Sequence, residues 1–170
     1  MTLHYKLLII AATSLLITSC GNDSSDAVSE KQKLPTLSAA TLGEQLILDT
    51  ASYLQSEPYA SANRQRGSDR AMLCMACHSL EAGGANMIGP ALHGMFGREA
   101  GSNGDFDYSP VLKNAKFIWT PRALDAWLAQ PASFLPGNRM AFAGVPRQQD
   151  RDDLIAFLLE ETSQVEDTWN

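Results

Sequence analysis

Histidine and cysteine are scarce in this 170-residue chain, with three of each, so chemistry that needs many of them is closed to it. A structural zinc site takes four ligands. The adjacent Cys77 and His78 cannot easily both face one tetrahedral ion, which leaves His93 as the further candidate. Long apolar runs are also missing. The run Leu7–Thr18, behind Lys6, has 12 residues, too few to cross a bilayer but the length of a signal-peptide core. Basic residues are outnumbered, 13 Lys and Arg against 19 Asp and Glu, and removing residues 1–19 takes away Lys6 alone, moving the formal charge from −6 to −7. That balance argues against a nucleic-acid partner and against electrostatic adhesion to anionic lipid. No internal repeat is present, and no segment shows strand alternation. With 45% hydrophobic and 19% charged residues, the bulk of the chain falls in the globular class.

The ends of the chain differ. The apolar run closes on Leu16-Ile17-Thr18-Ser19-Cys20-Gly21, which resembles the lipobox of bacterial lipoproteins, with Thr18 and Ser19 tolerated there rather than preferred. The resemblance implies export to the bacterial periplasm, cleavage after residue 19, and attachment to a membrane by lipid on Cys20. The other reading is a plain signal peptide cut nearby, with Cys20 left as a spare thiol. Residues 21–33 offer almost nothing to bury and are expected to form a flexible tether. The expected organisation is a signal peptide at 1–19, a tether at 20–40, an accessory helical segment at 41–66, a compact domain at 67–162 and a tail at 163–170.

In the accessory segment, Thr41 and Glu44 have capping-box spacing, and Leu42, Leu46, Ile47, Tyr53 and Leu54 share a broad face. This predicts a helix over 41–55, stopped by Pro58. Within the compact domain a helix is expected from Ser68 to about Ser79. A second starts at the N-cap Thr120 with Pro121 behind it, carries Leu124, Trp127 and Leu128, and ends at Pro131. A third follows Gln149, with Asp150, Asp152 and Asp153 complementing its dipole and Leu154, Phe157 and Leu158 on one face. The expected class is all-α.

The segment Cys74-Met75-Ala76-Cys77-His78 is the attachment signature of a covalently bound c-type haem. Two thiols one turn apart can each form a thioether to a haem vinyl group, and the next imidazole falls under the iron. A thioredoxin-like reading would want a strand before Cys74, and none is indicated. If the sixth iron position is filled by the protein, the group moves electrons; if it is open, the group can bind gases or do chemistry. Met140, 62 residues beyond His78 in a Gly- and Pro-containing loop, can close over the far face. Met87 and Met95 are alternatives, and any of the three could be core filler.

Further motifs accompany this one: Gly89-Pro90-Ala91-Leu92-His93-Gly94-Met95-Phe96-Gly97-Arg98, Phe106-Asp107-Tyr108-Ser109, Trp119, Trp127-Leu128, Pro131, and Pro136-Gly137-Asn138-Arg139-Met140-Ala141-Phe142-Ala143-Gly144. In their order and spacing these resemble class I cytochrome c, the mitochondrial and bacterial electron-carrier type, over Gly67 to Thr162. The resemblance implies one covalent haem c on Cys74 and Cys77, with His78 and Met140 as axial ligands. It implies that the Pro90 carbonyl orients the His78 ring, and that Arg98, Tyr108 and Trp119 surround a haem propionate. Leu92, Trp127, Leu128, Phe142 and Leu158 would line the crevice. The plain alternatives are core packing for Trp119 and Trp127, a solvated charge for Arg98, and a hydrogen-bonded structural role for His93.

Departures from the pattern are visible. Ala71 stands where an aromatic residue usually packs the first helix on the last, so that contact should be replaced or weak. Trp127 replaces a frequent tyrosine, and lysines near the haem edge are few, leaving Arg139, Arg147, Lys113 and Lys116. The implied function is single-electron transfer, by an expected monomer, between redox complexes of the respiratory or periplasmic chain. A small peroxidase-like haem enzyme or a gas or redox sensor is the alternative. It would need an open sixth position and, for the enzyme, a positioned acid or base, for which His93 is the one histidine outside the export segment other than His78.

Overall fold

The computed structural model describes residues 37–163. The expected signal peptide, Cys20, the tether to residue 36 and the tail beyond Ser163 lie outside them. Six helices occur among the described residues: α1 Thr50–Leu54, α2 Arg64–Met75, α3 Pro110–Lys113, α4 Pro121–Ala129, α5 Pro131–Phe134 and α6 Gln148–Thr162. The only strand-like pairing in that range is one isolated bridge between Glu99 and Ile118, so the all-α expectation holds. No helix among these residues is long and apolar enough to cross a membrane.

The accessory helix is far shorter than its periodicity predicts. Gly43 adopts φ of 71°, a left-handed value that interrupts a helix. The Thr41 hydroxyl accepts from Ser38 N–H at 2.9 Å rather than capping a following turn. Leu42 is drawn into the core. The Gln45 side chain pairs with both backbone groups of Ile118, at 2.6 Å and 2.7 Å. The helical signal is real only from residue 50, where Asp49 caps α1 by accepting from Ser52 N–H at 2.8 Å. Residues 37–40, placed in the tether by composition, are also seated: Leu37 and Ala39 pack on the core, and Ala39 N–H donates to Phe134 O at 3.0 Å.

Helix α2 begins four residues before the expected Ser68, because the Asn63 side chain caps it by accepting from Arg66 N–H at 2.9 Å. It also ends four residues before Ser79. The carbonyls of Cys77 and Ser79 accept from Gly89 N–H and Leu92 N–H, both at 2.8 Å, and so are committed to the next loop rather than to helix. Helix α4 starts as read, with the Thr120 hydroxyl accepting from Ala123 N–H at 3.2 Å. Pro131 ends α4 and also opens the short α5.

Helices α2 and α6 touch where a Cβ on Gly67 would lie 2.2 Å from the Asp153 carbonyl oxygen. Ala71 is fully buried beside this crossing. The contact usually made by an aromatic ring is thus replaced by close backbone approach, and ion pairs frame it: Arg64–Glu160 at 2.5 Å, Arg66–Asp153 at 2.7 Å, and Arg70–Asp150. The acidic start of α6 therefore ties two helices together, beyond the expected dipole role. Asp153 is fully buried. Burial alone would raise its pKa, but hydrogen bonds from Arg66, Asn63 N–H and Gln149 outweigh it and hold the carboxyl below its usual range. Leu154, Ile155, Leu158 and Leu159 of α6 close the core against Leu124, Trp127 and Leu128 of α4.

Candidate functional site

The helices leave a cavity of about 510 Å³. Cys74, Cys77 and His78 enter it from the end of α2. Its walls include Pro90, Leu92, Arg98, Tyr108, Trp119, Trp127, Leu128, Met140, Phe142 and Leu158. All the residues singled out for the haem crevice therefore meet in one place. Met95 also lines the cavity, whereas Met87 and His93 do not.

His78 is held by the loop that leaves α2. Its Nδ1 lies 2.6 Å from the Pro90 carbonyl oxygen. That oxygen can only accept, so Nδ1 carries the proton and Nε2 keeps its lone pair. Burial lowers the ring's pKa against the opposing pull of this hydrogen bond, favouring the neutral, ligating form. Gly89 is required by proximity, since a Cβ there would sit 2.3 Å from His78 Cε1. The two thiols are free rather than paired as a disulfide. Burial pushes the Cys74 thiol up, and the neighbouring Cys77 adds to that. Among the described residues no three His, Cys, Asp or Glu gather closely enough to hold a metal ion, which removes the tetrahedral-zinc reading.

Met140 comes from a separate loop tied at both ends. At its entry, Asn138 Nδ2 donates to the carbonyls of Pro131 (2.9 Å) and Leu135 (2.8 Å), and Asn138 Oδ1 accepts from Met140 N–H at 2.9 Å. At its exit, Gly144 with φ of 97° passes so close to α4 that a Cβ would lie 2.6 Å from Ala129 O, and Val145 N–H donates to Leu128 O at 2.7 Å. Arg151 of α6, only 7% exposed, donates from Nη1 to the carbonyls of Val145 and Pro146, each at 2.9 Å, and from Nε to Asp125 at 2.7 Å. Across the top, Arg139 and Lys113 both pair with Asp107. Hydrogen bonds and charge from these two, Lys113 first, hold the Asp107 carboxyl below its usual range.

Aromatic rings form the inner wall. Trp119 and Trp127 meet edge to face at 5.5 Å, and Phe117 and Phe134 extend the stack. Burial raises the Tyr108 pKa, with the Arg98 charge opposing, so Tyr108 is a neutral donor beside a cation. The buried Ser109 hydroxyl has no protein partner among the described residues and lines the same cavity. A cofactor with polar substituents would satisfy it. Sequence reasoning assigned no role to Asn138, Arg151, Gly89 or Ser109: Gly89 makes room for the His78 ring, Ser109 presents an unpartnered hydroxyl to the cavity, Asn138 ties a local turn, and Arg151 serves carbonyls that the folded loop presents to it. Two free thiols one turn apart, a neutral imidazole with a free lone pair, an apolar wall, and a cation with neutral donors together fit haem c.

No family model matches the chain. The chain is 45% identical over 89 residues, 52% of its length, to 80% of "Cytochrome c" from Arabidopsis thaliana. It is 42% identical over 89 residues, 51% of its length, to 80% of "Cytochrome c2" from Agrobacterium tumefaciens. A "Cytochrome c homolog" from Rickettsia felis is 41% identical over 98 residues, 58% of this chain and 56% of that protein. The chain belongs to the cytochrome c family. As a cytochrome c it is an electron carrier and not an enzyme, its fold is all-α, and its cofactor is one covalently bound haem c.

Proposed function

We propose that Cys74 and Cys77 bear the two thioether bonds, that His78 and Met140 are the axial ligands, and that the carrier is tethered to a bacterial membrane by lipid on Cys20. In this reading the protein works at the periplasmic face, passing single electrons between redox complexes. The supporting observation is the meeting of all four haem-binding residues in one cavity, with the two ligands on independently braced segments. Met95 is the weaker candidate for the sixth position, because it follows Pro90 on the segment that braces His78. Lipidation is supported by the Leu16–Cys20 pattern and by the lack of a disulfide partner for Cys20 in an oxidising compartment.

Haem, when bound, supplies a one-electron iron couple. The protein's part is to keep that couple's surroundings constant. Pro90 fixes the His78 ring, and Asn138 fixes the Met140 backbone, so neither ligand needs to move between oxidation states. The thioether sulfur and the Trp127, Leu128 and Phe142 wall disfavour added positive charge and so raise the potential. Arg98, Tyr108 and Trp119 offer a cation and neutral donors to the acidic edge of the group. The deciding experiment is Met140→Ala. The variant should keep haem through Cys74 and Cys77, lose the methionine-to-iron charge-transfer band, bind carbon monoxide when reduced and fall in potential. A variant with the parent's spectrum and potential would remove Met140 from the site.

A further inference from the structure

The segment that precedes α1 carries Leu46-Ile47-Leu48, exposed to 74%, 52% and 39%. None of the three lines the haem cavity, so the exposed patch is separate from the haem crevice. The loop is braced on every side. Leu42 anchors its start in the core. Gln45 is pinned to Ile118 through its amide, Nε2 donating to the Ile118 carbonyl and Oε1 accepting from the Ile118 N–H, and Nε2 also donates to Thr120 Oγ1 at 3.1 Å. The Tyr53 hydroxyl donates to Leu46 O at 2.9 Å and accepts from Leu48 N–H at 3.0 Å. One phenol thus satisfies the backbone at both ends of the triplet. The triplet's other backbone groups have no partner among the described residues, so the braced tip can sit as deep as the hydrated headgroup level, where those groups keep their water, and no deeper.

We infer that Leu46-Ile47-Leu48 is a second membrane contact, inserting into the interface of a phospholipid bilayer; the inference rests on the proposed lipid on Cys20. Chain length carries the choice of occupant. Cys20 and Leu37 are seventeen residues apart, a reach of at most about 60 Å. Leu46 is nine residues past Leu37, at most about 30 Å further on. An acylated Cys20 therefore keeps the tip within range of the bilayer at all times. The acidic Glu44 and Asp49 that flank the tip, both exposed, select zwitterionic over anionic headgroups. A membrane contact at this loop uses none of the residues that line the cavity, Leu73, Ile88 and Ala141 among them. The tip would then orient the carrier as well as help retain it.

The test uses the full-length, acylated, haem-loaded protein in phosphatidylcholine vesicles. Ile47→Cys is labelled with a nitroxide, and Ala82→Cys, on an exposed loop outside the cavity wall, is the control; the other thiols are taken by haem and lipid. Accessibility to an aqueous nickel chelate should be at least about fivefold lower at position 47 than at 82, with oxygen accessibility raised. Adding Leu46→Ser and Leu48→Ser should abolish the difference, and vesicles rich in anionic lipid should reduce it. Equal accessibility at both positions in vesicle-bound protein overturns the contact and leaves the anchor standing. Release of the protein from the vesicles overturns both. Dipolar broadening between labels at 47 overturns the bilayer in favour of a second copy.

Discussion

Replacing Arg151 with Met should open the Met140 loop before it unfolds the protein. The guanidinium is buried and serves the Val145 and Pro146 carbonyls and the Asp125 carboxylate. Methionine replaces the aliphatic stem but ends short of the guanidinium and offers no donor. The Val145 carbonyl lies in a fully buried bond, so losing its partner costs about 1–3 kcal/mol. Asp125 is partly exposed and can rehydrate, which limits its share. A total of about 3 kcal/mol is expected, at the low end for breaking a buried ion pair, or about 10 °C in melting temperature. Because two of the lost bonds hold the exit of the methionine loop, much of that loss should be local. In guanidinium titrations of ferric Arg151→Met, the methionine-to-iron band should vanish at lower denaturant than the helical circular dichroism. Exogenous imidazole should also bind the ferric protein about tenfold or more tightly, since about 1.4 kcal/mol of easier opening suffices for that. A stability change under about 1 kcal/mol, or coincident loss of band and helix in the variant, would refute the assignment of Arg151 as the loop's clamp.

Gly67→Ala forces a Cβ to within 2.2 Å of the Asp153 carbonyl and 2.8 Å of Phe157 Cβ; helices α2 and α6 must separate, and urea unfolding should show a loss of about 2 kcal/mol or more. Asp153 has a folded-state pKa below its ordinary value, so its contribution is complete above about pH 4 and is lost as pH falls through the lower, folded value. Asp153→Asn should accordingly be less stable than the parent at pH 7, with the gap narrowing in acid melts below about pH 4. Cys20→Ser, exported with a conventional cleavage site, should give a soluble cytochrome of unchanged spectrum and potential that delivers electrons more slowly in membrane vesicles. Excess soluble protein should restore that rate, and a wild-type N-terminus without acyl chains by mass spectrometry would refute the anchor.

The residues whose chemistry is local were legible without coordinates. The spacing of Cys74, Cys77 and His78, on which the proposed attachment rests, is visible without coordinates because covalent attachment demands it, and Thr120-Pro121 declares a helix start because capping is decided within one turn. The all-α class followed from the same local periodicity. Tertiary structure decided what depends on distant backbone. The stretch 41–49 has a helical pattern, yet burial of Leu42 and the pairing of Gln45 with Ile118, 73 residues away, outweigh the helical propensity of about two and a half turns. Arg151 looks like any helix-surface arginine in the sequence; its carbonyl partners at Val145 and Pro146 are presented by a loop whose path Gly144 and α4 determine. Likewise, the absence of an aromatic at Ala71 could not by itself say what replaces it. Only the crossing of α2 and α6 shows that Gly67 admits the Asp153 backbone directly, because contact between two helices is a property of both surfaces and of neither sequence alone.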